Sequence, residues 1–314
     1  MAVHRDEAGP VVNALSIDVE EYYHATVFQE AVNGVTTGLQ SRVEASTERV
    51  LALLEDAGVK ATFFVLGEVG TDHPAIVRRI AQAGHEIACH GYHHTLVSDQ
   101  SPEEFRAGIR RAKAVLEDVG GQEVIGYRAP SFSIGSSEQW AYGVLAEERF
   151  RYDSSIYPIL HDRYGDRDAP RFPYEIWRKG GEGLIEFPIG TVRFFGVNLP
   201  VGGGGYFRLL PGGLIEMGIK RVNAREQEPV MFYFHPWELD PGQPRPSMAW
   251  HRRFRHYVGQ ERHEAKLAHL LASASFGTAR DVLARTVHGP SVSIGTQAAS
   301  AGSPASITRN GTTS

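Results

Sequence analysis

Asp18 and Glu20 stand one residue apart at the end of an apolar run in ALSIDVEEYYH, residues 14–24. On a β-strand, side chains at i and i+2 share a face, so the two carboxylates project together while Ile17 and Val19 face the other way. Like charges held side by side are unfavourable unless a cation or an arginine neutralises them. The chain offers candidates for both. His90 and His94, in GHEIACHGYHHTL, are four apart, a spacing that puts both on one face of a helical turn. With Glu20 they form a set of two imidazoles and one carboxylate that could hold a divalent metal and leave positions open for water and substrate. Glu21 is a rival for Glu20, and His93 an adjacent competitor. Arg128, in GYRAPSF, could grip Asp18 bidentately. His235, in FYFHPWE, ends an apolar strand and could serve as a general acid near neutral pH. Asp153, in YDSS, could orient that imidazole or could instead cap a helix or close a turn.

These residues need elements that bring them to one place. Residues 14–19, 60–66, 86–89 and 123–127 read as strands. Residues 44–57, 73–83, 102–119 and 138–148 read as helices, with Gly58 a C-terminal stop and Ser101 a cap for Pro102. Strands alternating with helices predict a parallel α/β fold, and in barrels of this kind the chemistry sits at the strand ends. Asp18, His90, Arg128 and Asp153 all fall at such ends. In the second half, residues 184–192 and 230–234 read as strands. Between them, Gly202 to Gly205 demand either a special backbone path, a close approach to substrate or a tight corner. Residues 252–271 read as an Arg/His-rich helix whose arginines form a solvated face or could meet an acidic glycan, a membrane-associated partner or another subunit. From about Val287 the Ser/Ala/Gly/Thr-rich sequence reads as a disordered tail.

The chain has 314 residues and a net charge of -5, which argues against a nucleic-acid partner. Cys89 is the single cysteine, so neither an internal disulfide nor a multi-thiolate zinc site can form. No run approaches the ~18 apolar residues of a transmembrane segment. The first residues lack the basic start, apolar core and small-residue cleavage site of a leader, so the expectation is a cytoplasmic protein.

The segments SIDVEE (16–21), ATFFVLG (61–67), GHEIACHGYHHTL (84–96), GYRAPSF (126–132), YDSS (152–155) and FYFHPWE (232–238) together resemble the polysaccharide deacetylases of carbohydrate esterase family 4, the NodB-homology fold. The resemblance runs from about Leu15 to Leu239. HDRYGDRDAPRFPYEIW (161–177), LPVGGGGYFRLLP (199–211) and FYFHPWELDPGQPR (232–245) further resemble the subgroup of exosortase-associated (PEP-CTERM) exopolysaccharide loci, extending the likeness to about Leu283. The resemblance implies a distorted (β/α) barrel of about seven parallel strands. It places an extension at 1–12, a single catalytic domain at 13–285 whose subgroup-specific part is about 155–285, and the tail at 286–314. It implies Asp18 as general base, Arg128 as its holder and His235 as general acid. Glu20, His90 and His94 would be ligands of a divalent metal, zinc (Zn2+) foremost. The family's usual first motif has two adjacent aspartates; here Val19 separates the pair and its second member is Glu20, with Glu21 its rival. Tyr206, Trp237, Pro130 and Phe132 are candidates for packing on sugar rings. The reaction implied is hydrolysis of N-acetyl groups from amino sugars of a glycan or its lipid-linked precursor. The alternatives are a small-molecule amidohydrolase of allantoinase or cyclic-imide type on the same fold, and a non-catalytic glycan-binding protein. Homo-oligomerisation stays open.

Overall fold

The structure is a computed structural model that describes residues 10–32, 34–36, 38–161 and 164–286. Most of the expected extension and all but Thr286 of the expected tail lie outside the described residues; Thr286 ends a helix.

At the centre runs β1 (Asn13–Val19), buried along its whole length. It pairs in parallel with β2 (Thr62–Val65) on one side and with β10 (Met231–Phe234) on the other. The ladder continues through β3 (Glu86–Cys89), β4 (Gly126–Tyr127), β5 (Tyr152–Asp153) and β7 (Glu182–Glu186), all parallel. Beyond β7, the antiparallel β6 (Tyr174–Lys179) forms the outer strand. A short β11 (Phe276–Gly277) also pairs with β1. Immediately after β7, Ile189 bridges Met231 of β10, which brings the sheet round on itself. The fold is thus the α/β architecture expected, with seven consecutive parallel strands and a distorted closure.

Both faces of this sheet are covered, which is why its strands read as continuous apolar runs. Ala14, Phe64, Ala88, Ile125, Ile185, Met231 and Tyr233 form the inner cluster. Leu15, Ile17, Val19, Phe63, Val65, Ile87, Phe232 and Phe234 pack outward among the helices. Strand alternation therefore points Asp18, on the inner face of β1, into the barrel mouth with Glu20 beyond it. Ile17 pairs with Phe234, so the next residues along, Asp18 and His235, leave neighbouring strands side by side.

The helices match the apolar periodicity. Val43–Ala57 ends at Gly58, whose φ of 64° is the left-handed cap that glycine adopts freely. Pro102–Gly120 begins with a reciprocal capping box between Ser101 and Glu104.

Several expectations need correction. His90 to His94 do not form a helical turn: Gly91 has φ 87°, and the chain crosses from β3 in an irregular loop. The expected 184–192 strand splits, because Phe187–Gly190 turns to form the closing seam before β8 (Thr191–Phe194) pairs with β9 (Val197–Pro200) in a separate hairpin. The 252–271 helix breaks at Gly259, φ 75°, into Trp250–Tyr257 and Gln260–Ser273. Only the last two residues of the 123–127 run are ladder-paired. The helix expected from His73 begins at Pro74, with His73 as its cap and a separate helix, Gly67–Asp72, before it.

The glycine run is a corner against β10. Gly203, φ 103°, bridges Tyr233, and a Cβ there would lie 2.0 Å from the Tyr233 carbonyl oxygen. At Gly204 a Cβ would lie 2.3 Å from the Tyr233 hydroxyl. No side chain fits in either place.

Candidate active site

Arg128 leaves the end of β4 and lies fully buried beneath the barrel mouth. One Nη1 proton goes to Asp18 Oδ1 at 2.6 Å and another to Ser16 Oγ at 2.9 Å. Nε and Nη2 donate to the Ser154 carbonyl and hydroxyl, at 3.0 and 2.8 Å. The guanidinium carbon sits 4.1 Å from the centre of the Phe64 ring. The grip on Asp18 is therefore single, because Ser154 takes the other edge of the fork, and Asp18 Oδ2 is left facing the cleft.

Glu20, His90 and His94 bring one potential ligand atom each within 4.8 Å of one another. Glu20 Oε1 accepts from Trp237 Nε1–H at 3.1 Å. Its Oε2 is buried with no hydrogen-bond partner, yet lies 2.8 Å from His94 Nε2 and 3.9 Å from His90 Nε2. Burial would raise the Glu20 pKa, but His94, His235 and His90 overcome it and hold the carboxyl well below its ordinary value. His90 Nδ1 lies 2.8 Å from the Arg128 carbonyl oxygen, which can only accept, so Nδ1 carries the proton and Nε2 is the free lone pair. Burial lowers the His90 pKa to about 4, which keeps the ring neutral and able to ligate. An orphaned carboxylate oxygen facing two imidazoles fits a divalent cation, and the mixed N and O donor set suits zinc and its first-row neighbours.

The two rivals face elsewhere. Glu21 accepts from the backbone N–H of Arg42 and Val43 and from the Ser41 hydroxyl, closing the start of the Val43–Ala57 helix. His93 is bonded to Glu68 at 2.6 Å on the surface. His24, which sequence reasoning passed over, stacks on His94 with centroids 5.5 Å apart and steadies its ring.

His235 lies opposite. Its Nε2 is 4.0 Å from Asp18 Oδ2 and 3.6 Å from Glu20 Oε1. Its Nδ1 meets Glu238 Oε1 at 2.7 Å. Glu238, itself fully buried, also faces Arg208 Nε at 3.1 Å and His263 Nε2 at 3.5 Å. Burial alone would lower the His235 pKa, but Glu20, Glu238 and Asp18 raise it to about 9. Burial would likewise raise Glu238, but Arg208 and the two histidines bring it to about 2.

Glu238, not Asp153, therefore orients the imidazole. Asp153 accepts from Ser155 Oγ at 2.6 Å, and that hydroxyl accepts from the Ala129 N–H, so Asp153 braces the loop that carries Arg128. Behind it, burial and the neighbouring Asp153 push the Glu186 pKa well above the ordinary range, so Glu186 keeps its proton. The legible signal for Glu238 was His235-x-x-Glu238 across Pro236, since one tight turn places i+3 under i. Arg208 carries no such local signal.

These groups floor a cleft of about 1210 Å³ whose walls include Phe132, Tyr142, Leu160, Trp177 and Trp237. Trp237 stacks between His235 and His256, at 5.0 and 4.9 Å. Phe132, at φ 55°, packs against Tyr157, Tyr164 and Tyr233. Pro130 and Tyr206 do not line the cleft: Pro130 is buried, and Tyr206 meets Tyr157 edge-on, with Gly205 in its place on the wall.

At its strand ends the barrel thus brings a carboxylate, a Glu/His/His cluster and a charged imidazole to one cleft floor. Residues 36–141 match the family model described as Polysaccharide deacetylase, and residues 154–284 match that described as Domain of unknown function (DUF3473). Residues 36–141 are thus similar to a polysaccharide deacetylase domain. The peptidoglycan-N-acetylglucosamine deacetylase of Bacillus cereus is 35% identical over 96 residues, covering 30% of this chain and 35% of that protein. A bifunctional xylanase/deacetylase of Pseudobutyrivibrio xylanivorans is 32% identical over 94 residues, 30% of this chain and 16% of its own length. The chain thus spans about a third or less of these relatives. A solved Mycobacterium smegmatis structure assigned to the polysaccharide deacetylases superposes with a TM-score of 0.56 at 21% identity, covering 92% of this chain and 96% of the other. The Puue allantoinase superposes equally, at 0.56 and 14% identity, over 88% and 91%. At these identities the likeness is one of fold, and it does not separate a glycan from a small cyclic amide.

Proposed function

We propose that this protein is a metal-dependent hydrolase that removes N-acetyl groups from amino sugars of a polysaccharide or its lipid-linked precursor. The carrying observation is the pairing, across one cleft floor, of Asp18 held by Arg128 and His235 held by Glu238, with Glu20, His90 and His94 beside them. The relatives' names as glycan deacetylases support the reaction. The cleft, at about 1210 Å³, exceeds the roughly 300–1,000 Å³ of ordinary small-molecule sites, which favours a polymer over a compact cyclic amide. The motifs at 161–177 and 199–211 favour an exopolysaccharide as that polymer.

A divalent ion held by Glu20, His90 and His94 would supply Lewis acidity toward the amide carbonyl and the attacking water. The chain's own groups handle the protons. Asp18 Oδ2, free because Arg128 takes Oδ1, accepts the proton of the water as it attacks the carbonyl carbon. His235, protonated at neutral pH, donates from Nε2 to the departing sugar nitrogen as the C–N bond breaks, giving acetate and a free amino sugar. Glu238 stabilises the imidazolium before the transfer and keeps Nδ1–H engaged after it. Trp237 fixes Glu20 through its indole N–H and lines the cleft.

The test is acetate release from N-acetylglucosamine oligomers by the metal-stripped and zinc-reloaded protein, alongside Asp18→Asn. Release that requires metal and drops at least ~100-fold in the variant is expected. Metal binding with release only from a small cyclic amide would replace the reading with the amidohydrolase one. Failure to bind metal would undo the cradle.

A further inference from the structure

The hairpin of β8 and β9 carries side chains that folding alone does not explain. Its turn residues Phe195 and Gly196 have φ of 47° and 81°. Two successive positive values belong to the tight turn that Asn-Gly fills best, and a bulky aromatic in the first position is conformationally out of place. Phe195 is nevertheless there, 91% exposed. Phe194 and Val197, directly opposite each other, and Leu199 two pairs further in are exposed beside it. The helix Gly212–Glu226 packs on the base of the hairpin, where Gly218 faces Val192 and Val201. Along that helix Leu214 and Met217, both exposed, share a stripe with Arg221 and Arg225.

Behind the tip, Arg167, Arg171, Arg193, Arg221 and Arg225 line one depression of about 660 Å³, with Asp168 and Glu226 as its acidic members. Arg171 pairs with Glu226 and Arg167 with Asp168. Arg193, Arg221 and Arg225 have no carboxylate partner among the described residues. This surplus of positive charge sits on a chain whose net charge is -5.

We propose that the hairpin docks this protein peripherally on an anionic lipid surface. The Phe194–Val197 tip enters the boundary between headgroups and acyl chains, and the unpaired arginines meet the lipid phosphates. Aromatic and aliphatic side chains backed by arginine are the chemistry of interfacial anchoring, and a basic cluster is drawn to a surface of opposite charge. A protein partner is the poorer match, because a four-residue tip presents little of the roughly 800 Å² per side that a stable protein contact uses. The docking has a consequence for the cleft. Asn198 Nδ2 donates to the Pro158 carbonyl at 2.9 Å, tying the hairpin to the segment whose Ile159, Leu160 and Tyr164 form the cleft wall. A docked hairpin therefore sets that wall near the membrane.

Sedimentation of the full chain with vesicles of phosphatidylglycerol and phosphatidylcholine, and with vesicles of phosphatidylcholine alone, tests the proposal. Binding to the anionic vesicles that weakens with added salt is expected. Phe194→Ser/Phe195→Ser and, separately, Arg193→Glu/Arg221→Glu/Arg225→Glu should each reduce partitioning by about tenfold or more. Phe195→Asn guards against a folding artefact: Asn suits the turn, so Tm should rise while vesicle binding falls. No vesicle binding, equal binding to both compositions, or binding untouched by these variants overturns the proposal. Hairpin-dependent self-association in analytical ultracentrifugation without vesicle binding also overturns it, in favour of a contact between copies.

Discussion

Replacing Glu238 by Gln keeps the shape beneath His235 and removes one charge. The rise of the His235 pKa from 6.5 to about 9 corresponds to roughly 3 kcal/mol favouring the imidazolium, at about 1.4 kcal/mol per tenfold. Burial opposes that rise, so Glu20, Glu238 and Asp18 together contribute more than the net figure. Glu238 is the member hydrogen-bonded to Nδ1, at 2.7 Å. Losing one of three charges removes at least about 1 kcal/mol, and weakening a charge-assisted hydrogen bond adds a comparable amount. His235 in Glu238→Gln should therefore titrate about 1–2 pH units lower. The assay is a histidine NMR titration of the metal-free protein, with circular dichroism confirming the fold. The sign for stability follows from the raised folded value. Wild type holds its full His235 contribution below pH 6.5 and loses it as pH rises toward 9, whereas the variant loses less over that window. A titration still near 9 in a folded variant would refute Glu238 as the group that holds the imidazolium.

Two further outcomes follow from packing and burial. Gly203→Ala drives a Cβ to 2.0 Å from the Tyr233 carbonyl oxygen at φ 103°, and should cost on the order of 3 kcal/mol; a urea midpoint near wild type would show the corner to be pliable. Burial, with Lys60 adding to it, lowers the His85 pKa to about 4, and its Nδ1 accepts the Ala61 N–H at 3.2 Å. The depressed folded value means stability is whole above pH 6.5 and falls as pH drops toward 4. Between pH 7 and 4.5, wild type should lose roughly 2–3 kcal/mol more than His85→Gln in urea unfolding; equal losses would remove His85 from the acid response.

The strand-end residues were legible because apolar runs mark buried strands and the first polar residue after each run must face the mouth. His90, Arg128 and His235 follow that rule, and Asp18 is the inward-facing residue one short of the end of β1. What the runs do not encode is the path between strands. Spacing alone suggested a helical turn for His90 and His94, but Gly91 at φ 87° permits a loop that converges the same two rings. Asp153 and Glu238 are both carboxylates near a strand end, but the one-turn spacing of Glu238 from His235 brings it to the imidazole, while Asp153 takes Ser155 instead. Glu20 and Glu21 could be separated only once the Val43–Ala57 helix was seen to claim Glu21 for its own unpaired N–H groups. Pro130 and Tyr206 lie within the motifs in sequence, but packing draws both away from the cleft. The break at Gly259 was weaker still in the sequence, because the apolar period runs through it.

The register of β1 against β10 has a further consequence. Asp18 comes from the first strand of the chain and His235 from its last third, yet Ile17 and Phe234 are ladder partners immediately before them. The backbones that carry the two side chains are thus one inter-strand repeat apart, about 4.8 Å, and their facing atoms, Asp18 Oδ2 and His235 Nε2, lie 4.0 Å apart. A slip of one residue would turn His235 outward and leave Asp18 facing a phenylalanine. The sheet's own lattice sets the spacing of this carboxylate and imidazole, so the walls of the cleft can be remodelled while that spacing stays put.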